Sequence, residues 1–184
     1  MALNLRDLWL YRELVYFMTW RDLKVRYKQT VLGAGWAILR PLLTMVVFSI
    51  FFGSLAKMPS DGVPYPIFSY TALLPWELFA TALSVSSRSL VNNSNMITKI
   101  YFPRIILPLS NTLANLVNFL LSLAVQFVIL FILLGLHGTT VSPWALALPV
   151  MILYHTLFNL ALALLMSSSN VYFRDTQHLV GVLL

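Results

Sequence analysis

Four cations, Arg21, Lys24, Arg26 and Lys28, stand directly before an apolar run that continues to Leu55. A basic flank against an apolar run of membrane length fixes which end of that run stays in the cytoplasm. It also sets a positive collar at the mouth of whatever the following helices enclose. Read as a helix, the segment puts Trp20, Leu23 and Tyr27 on one face and Arg21, Lys24 and Lys28 on the adjacent one. Such a helix lies in the interface, with its aromatics among the headgroups and its cations toward water or anionic lipid. Residues 22–28 also alternate polar and apolar with period two. The helix is preferred because Thr19 and Asp22 have capping-box-like spacing and the segment feeds directly into a spanning run.

Composition removes most other classes. Of 184 residues, 59% are hydrophobic and 10% charged, and the mean hydropathy is +0.82. Soluble domains carry about a quarter charged residues, so this is an integral, all-α, polytopic membrane protein. The net charge of +6 reflects cations held in loops and points to no nucleic-acid partner. With no cysteine, neither a disulfide framework nor a thiolate metal site exists. The first long apolar run begins near Gly33, behind a charged segment, which is too late for a cleavable signal peptide.

A spanning helix needs about 20 apolar residues, and the sequence predicts four, near 33–56, 65–90, 105–136 and 144–169, after an interfacial segment at 1–32. The whole chain reads as one transmembrane domain. Arg6, Arg12, Arg21, Lys24, Arg26, Lys28 and Arg40 precede or open the first span, Arg88, Lys99 and Arg104 flank the second connection, and Arg174 lies in the fourth. Against these eleven, Lys57 stands alone on the opposite side. The asymmetry predicts a cytoplasmic N-terminus. A further apolar run begins at about 177 and reaches the last residue too soon to cross a bilayer. The expectation is therefore a piece of a longer protein, carrying the start of a fifth helix.

Polar residues within the spans are ordered. Asn111, Asn115, Asn118, Ser122 and Gln126 form one stripe on the third span, and Glu77, Thr81, Ser84 and Arg88 form another on the second. At 100° per residue each stripe covers an arc of roughly 80°. Lipid offers no hydrogen-bond partner, so these faces meet neighbouring helices or line a wet channel. A carboxylate near mid-membrane costs a few kcal/mol unless paired or hydrated, which makes Arg40 or Arg88 the expected partner of Glu77. Arg40 also sits where a side chain snorkels to the interface. Phe48, Phe51 and Phe52 face lipid or offer stacking surfaces to a ligand.

The second connection, from Asn92 to Arg104, is polar at first and then carries Ile100, Tyr101 and Phe102 between Lys99 and Arg104. Exposed aromatics on such a loop point to a protein partner or an interfacial anchor. Pro103 and Pro108 fit the start of the third helix, and Asp175 or Thr176 fits a cap on the last one. Catalytic constellations are missing from the sequence. No GxxxxGK[ST] phosphate loop is present, and His137, His155 and His178 are too dispersed for a metal site. His155 shares a face with Asn159 and reads as a hydrogen-bonded bundle residue.

These residues carry a family resemblance. The run Arg21-Asp-Leu-Lys-Val-Arg-Tyr-Lys-Gln-Thr-Val-Leu-Gly33, followed by Trp36 and Pro41, resembles the N-terminal signature of type-2 ABC transporter permeases that export polysaccharides such as O-antigen, capsule and teichoic acid. Leu74-Pro-Trp76 with Phe79 resembles that family's second helix. Lys99-Ile-Tyr-Phe-Pro-Arg104 with Leu107-Pro-Leu-Ser110 resembles its coupling segment and third-helix start, and Asn170-Val-Tyr-Phe-Arg-Asp175 its fourth connection. Such permeases have six helices, so the resemblance implies that the last third lies beyond this sequence.

The resemblance further implies a homodimer in the cell inner membrane seated on two copies of a separate ATPase, which binds the ATP and Mg. It implies coupling through Lys99, Ile100, Tyr101, Phe102, Pro103 and Arg104. A lipid-linked glycan would arrive near Arg21, Lys24, Arg26, Tyr27, Lys28 and Arg40 and pass along Glu77, Thr81, Ser84, Arg88, Asn111, Asn115, Asn118 and Gln126. Two other classes stay open. One is a type-2 permease for a small amphiphile, drug or lipo-oligosaccharide. The other is an ATP-independent lipid-glycan flippase or membrane glycosyltransferase.

Overall fold

The computed structural model describes residues 9–28, 33–60, 62–137 and 146–184. Arg6, the 138–145 stretch and the expected start of the fourth span at 144 lie outside the described residues. Helix α1 (Arg12–Tyr27) precedes α2 (Trp36–Phe48), which a short 3-10 turn at Gly33–Gly35 introduces and a π-helical stretch, Ser49–Leu55, prolongs. Helix α3 (Tyr65–Ser87) is followed by the short α4 (Ser89–Asn92) and α5 (Ser94–Lys99). The long α6 (Ile106–His137) and α7 (Leu148–Tyr172) come next, and α8 (Thr176–Leu183) follows a tight turn.

Among the described residues, three stretches are long and apolar enough to cross a membrane: Ile38–Leu55, Ile106–Ile132 and Leu148–Tyr172. Helix α3, expected as a span over 65–90, ends at Ser87. At 1.5 Å per residue its 23 residues reach about 35 Å, which suffices for the ~30 Å hydrocarbon layer. It is less apolar than the others because it is the central helix, packed against α2, α6, α7 and α8. Ser69, Ser86 and Ser87 are buried along it with Tyr70, Leu74, Leu78, Ala82 and Leu83. Small side chains let the backbones approach, which is how helices associate where no water drives them together.

Helix α7 is tied to α3 by side chains that reach its backbone. The Asn159 amide donates to the Leu78 carbonyl at 3.2 Å and the Asn170 amide to the Ser87 carbonyl at 3.1 Å. His155 Nε2 lies 3.1 Å from the Pro75 carbonyl, so the sequence reading of a bundle histidine holds. Asn170, expected in a connection, is helical and fully packed, because α7 runs on to Tyr172.

Local expectations divide. Helix α1 forms, but Thr19 caps nothing: the helix begins at Arg12, and the Thr19 hydroxyl donates back to the Val15 carbonyl at 2.8 Å. Asp175 does stand at the N-cap of α8, without a side-chain cap bond. Phe48, Phe51 and Phe52 are exposed on the bundle surface, as lipid-facing rings are.

Candidate functional site

Helix α1 lies across α6. Its apolar hold is Met18, buried with Phe102, Ile106 and Leu107 and flanked by Tyr11, Leu14 and Val15. Further along the same helix, Arg26 Nη1 donates to Asn115 Oδ1 at 2.9 Å and the Tyr27 hydroxyl donates to Asn118 Oδ1 at 2.8 Å. Interhelical hydrogen bonds of this kind contribute about 0.6 kcal/mol each and at most about 1.7. Burying a side chain the size of Met18 or Phe102 contributes about 1.5–3 kcal/mol. Apolar packing therefore holds α1 in place, and the polar pairs beyond it are cheap to exchange.

Those pairs open onto a cleft of about 180 Å³ between α1, α2, α3 and α6. Arg26, Tyr27, Trp36 and Arg40 line one side, Glu77 and Thr81 another, and Asn115, Asn118 and Ser122 the wall from α6. Leu74, Leu78 and Phe119, which form a second buried cluster with Tyr70, make its apolar back. Arg40 faces Glu77 across it, Nε to Oε1 at 3.7 Å, with the Arg40 side chain 71% exposed. The pair is an ion pair without a hydrogen bond. Of the two partners expected for Glu77, Arg40 is the one found, and Arg88 is exposed beyond the end of α3. Burial pushes the Tyr27 phenol above its ordinary value, and the Arg26 guanidinium pulls the other way.

The sequence stripes are thus only partly one site. Arg26, Tyr27, Arg40, Glu77, Thr81, Asn115 and Asn118 come together. Ser84 and Arg88 are not among the lining residues. Asn111 lends its backbone carbonyl to the Asn115 amide within α6, at 2.9 Å, whereas Gln126 donates to the Thr71 hydroxyl and so ties α6 to α3. On α1, Arg21 is paired to Asp22 at 2.8 Å and the Lys24 ammonium sits 5.4 Å from the Trp20 ring centroid. With exposed Lys28 these three form an outer collar, separate from the cleft. Trp20 and Tyr27, expected on one face, part company: Trp20 is exposed while Tyr27 lines the cleft. Trp36 and Phe119 are cleft walls that the stripes did not single out, since an aromatic beside apolar residues looks like any lipid-facing side chain.

The connection between α5 and α6 needs a correction. Ile100 and Tyr101 are exposed, Tyr101 at 86%, but Phe102 is only 6% exposed. Its ring is a core residue against Met18 of α1, which removes it from any surface offered to a partner.

An all-helical polytopic membrane protein with a polar cleft beside its first helix is the class these features define. Residues 13–184 match the ABC-2 type transporter family, and the chain belongs to that family. It is similar to the O-antigen export system permease protein RfbA of Myxococcus xanthus, 35% identical over 181 residues, which cover 97% of this chain and 66% of that protein. RfbA of Klebsiella pneumoniae is 32% identical over 171 residues, 92% of this chain and 64% of that protein. The chain spans about two thirds of the length of the relatives it matches.

Proposed function

We propose that the chain is the permease portion of an ATP-driven exporter that moves a lipid-linked polysaccharide across the cell inner membrane. The observation that carries this reading is the 35% identity to an O-antigen export permease over nearly the whole chain. A second copy of the permease and a separate ATPase, which binds ATP and Mg, complete the assembly. The exposed Ile100–Tyr101 tip between α5 and α6 is the docking point for that ATPase. The distribution of cations supports a cytoplasmic side for α1, α5 and the α7–α8 turn.

Orientation is tested by single cysteines in this cysteine-free segment. Ser60, in the α2–α3 connection, is expected to react with an impermeant thiol reagent from outside as Ser60→Cys, and Asn93→Cys is not. Labelling of Asn93→Cys from outside sinks the topology.

The collar gives the functional test. Replacing Arg21, Lys24 and Lys28 together by Gln in the full-length permease–ATPase complex is expected to weaken glycolipid-stimulated ATP hydrolysis at low substrate, while maximal stimulation persists. Exposed charges act mainly on encounter rate and lose that action as salt rises. The reading of the collar is wrong if stimulation at low substrate and low salt is unchanged. The reading as an exporter is wrong if the complex moves glycolipid without ATP.

A further inference from the structure

Three side chains of α7, His155, Asn159 and Asn170, bond to backbone carbonyls of α3, at Pro75, Leu78 and Ser87. The partners rise together along both chains, so the two helices run in the same direction. A helix presents a carbonyl on the same face at every turn, whatever its side chains. Bonds of this kind therefore hold two helices together without fixing their register. The α1–α6 pairs differ: Arg26 with Asn115 and Tyr27 with Asn118 join side chain to side chain and exist at one register only. The α3–α7 seam is also built from small residues. Ala82 and Ser86 on α3, and Ala163 and Ser167 on α7, are each at most 1% exposed, and none is a knob that opposes sliding.

The present register leaves both asparagines half satisfied. Oδ1 of Asn159 and Oδ1 of Asn170 are buried and accept no hydrogen bond among the described residues. Turning either amide over would set its oxygen against a carbonyl, so a flip is no remedy. Orphaned buried acceptors cost free energy, and this register is therefore not the one these amides fit best. Beside the seam stands a ladder of rings. Phe79 of α3 stacks on Phe158 of α7, with centroids 6.3 Å apart and planes at 17°. Phe158 stacks in turn on Tyr154, one turn back along α7, at 6.4 Å and 13°. Stacking at such distances is favourable, and Tyr154, 71% exposed, is a second rung of nearly the same orientation.

We propose that the α3–α7 seam is a slip plane with two registers. In the second, α7 stands one turn, about 5.4 Å, further along α3 toward Ser87, and Phe79 has passed from Phe158 to Tyr154. The α7 donors then take the carbonyls of the next turn, in the manner of the one-turn ratchets by which packed helices switch. The inference rests on the reading of the chain as an exporter in one respect: the ATPase cycle supplies the bias between the registers.

The test uses the full-length permease in nanodiscs, free of other cysteines and spin-labelled in pairs at exposed positions. Val85→Cys on α3 and Met151→Cys on α7 stand about 25 Å apart along the bundle at 1.5 Å per residue, so sliding changes their separation directly. Val85→Cys with Val128→Cys on α6 is the reference pair. Pulsed electron-spin distances are expected to give the seam pair a second population about 5 Å shorter than the first, and the reference pair a single one. Tyr154→Leu is expected to lower the shorter population about threefold, as the loss of one stacked ring pair does, and Tyr154→Phe to retain it. The unfolding midpoint of Tyr154→Leu is expected to stay unchanged, which separates loss of the rung from loss of the fold.

A single seam population, both in the permease alone and in the ATPase complex with ATP trapped, overturns the proposal. A shorter population undiminished by Tyr154→Leu overturns it as well. Failure of the export reading shows differently: both registers persist in the isolated permease, and adding ATPase and ATP leaves their ratio unchanged.

Discussion

Phe102→Ala is expected to destabilise the full-length protein by about 3–5 kcal/mol, the usual effect of deleting a buried aromatic ring, while its neighbour Tyr101→Ala leaves stability unchanged. Phe102 fills the core between α1 and the start of α6, against Met18, Ile106 and Leu107. Tyr101, 86% exposed, has no comparable environment to lose. On the proposed docking tip, however, Tyr101 is the anchor, and truncating an anchor costs over 1–2 kcal/mol of binding, or about 5–30-fold in affinity. The two variants therefore separate folding from docking. Thermal unfolding in detergent should move only for Phe102→Ala. Co-purification of the ATPase should fail for Tyr101→Ala in a protein of normal stability. An ATPase that stays bound to Tyr101→Ala removes the tip from the interface.

Gly53→Ala is expected to be destabilising, although alanine is normally preferred to glycine inside a helix by about 1 kcal/mol. A Cβ at this position would stand 2.8 Å from Tyr65 Cγ and 2.9 Å from Cδ1. Those atoms are near the base of the ring and cannot swing away as a chain end does. Crowding of this kind costs about 1–3 kcal/mol, so the clash decides the sign. Gly53 lies in the π-helical stretch of α2, packed against the start of α3. In a Tyr65→Ala background the same substitution should be neutral or stabilising. A double-mutant cycle on unfolding reads the coupling directly, and a wild-type background that gains stability from Gly53→Ala rules out the close approach.

Much of the architecture was legible because membrane helices leave long, uninterrupted signals. The α6 stripe was recoverable from spacing alone: Asn115 and Asn118 do face α1, and Gln126 faces α3. What spacing could not show is which polar residues pack and which line space. Asn111 and Asn118 share a stripe, yet Asn118 borders the cleft while Asn111 does not. That distinction depends on where α1 stops crossing α6, a tertiary fact. The assignment of Phe102 to a partner surface failed for a local reason. Aromatics on a loop look equivalent in sequence, but Ile100 is extended, and in extended chain neighbouring side chains point apart. Pro103 biases Phe102 in the same direction, so one anchor and one core residue was readable. The close fit of Gly53 to Tyr65 carried no such sign, because glycine in an apolar run is common in membrane helices.

The amides that secure α3 belong to a helix made much later. His155, Asn159 and Asn170 contact carbonyls 80, 81 and 83 residues upstream. At about 5–20 residues per second, the ribosome needs roughly 4–16 s to supply them. Throughout that interval the central helix has no α7 packed along it, while Glu77 already has Arg40 of the preceding α2 beside it. Its polar face must wait in the translocon or against the already inserted α2, so α3 enters the bilayer as a dependent of helices that follow it. The centre of this bundle is thus synthesised well before the helix whose side chains complete its packing.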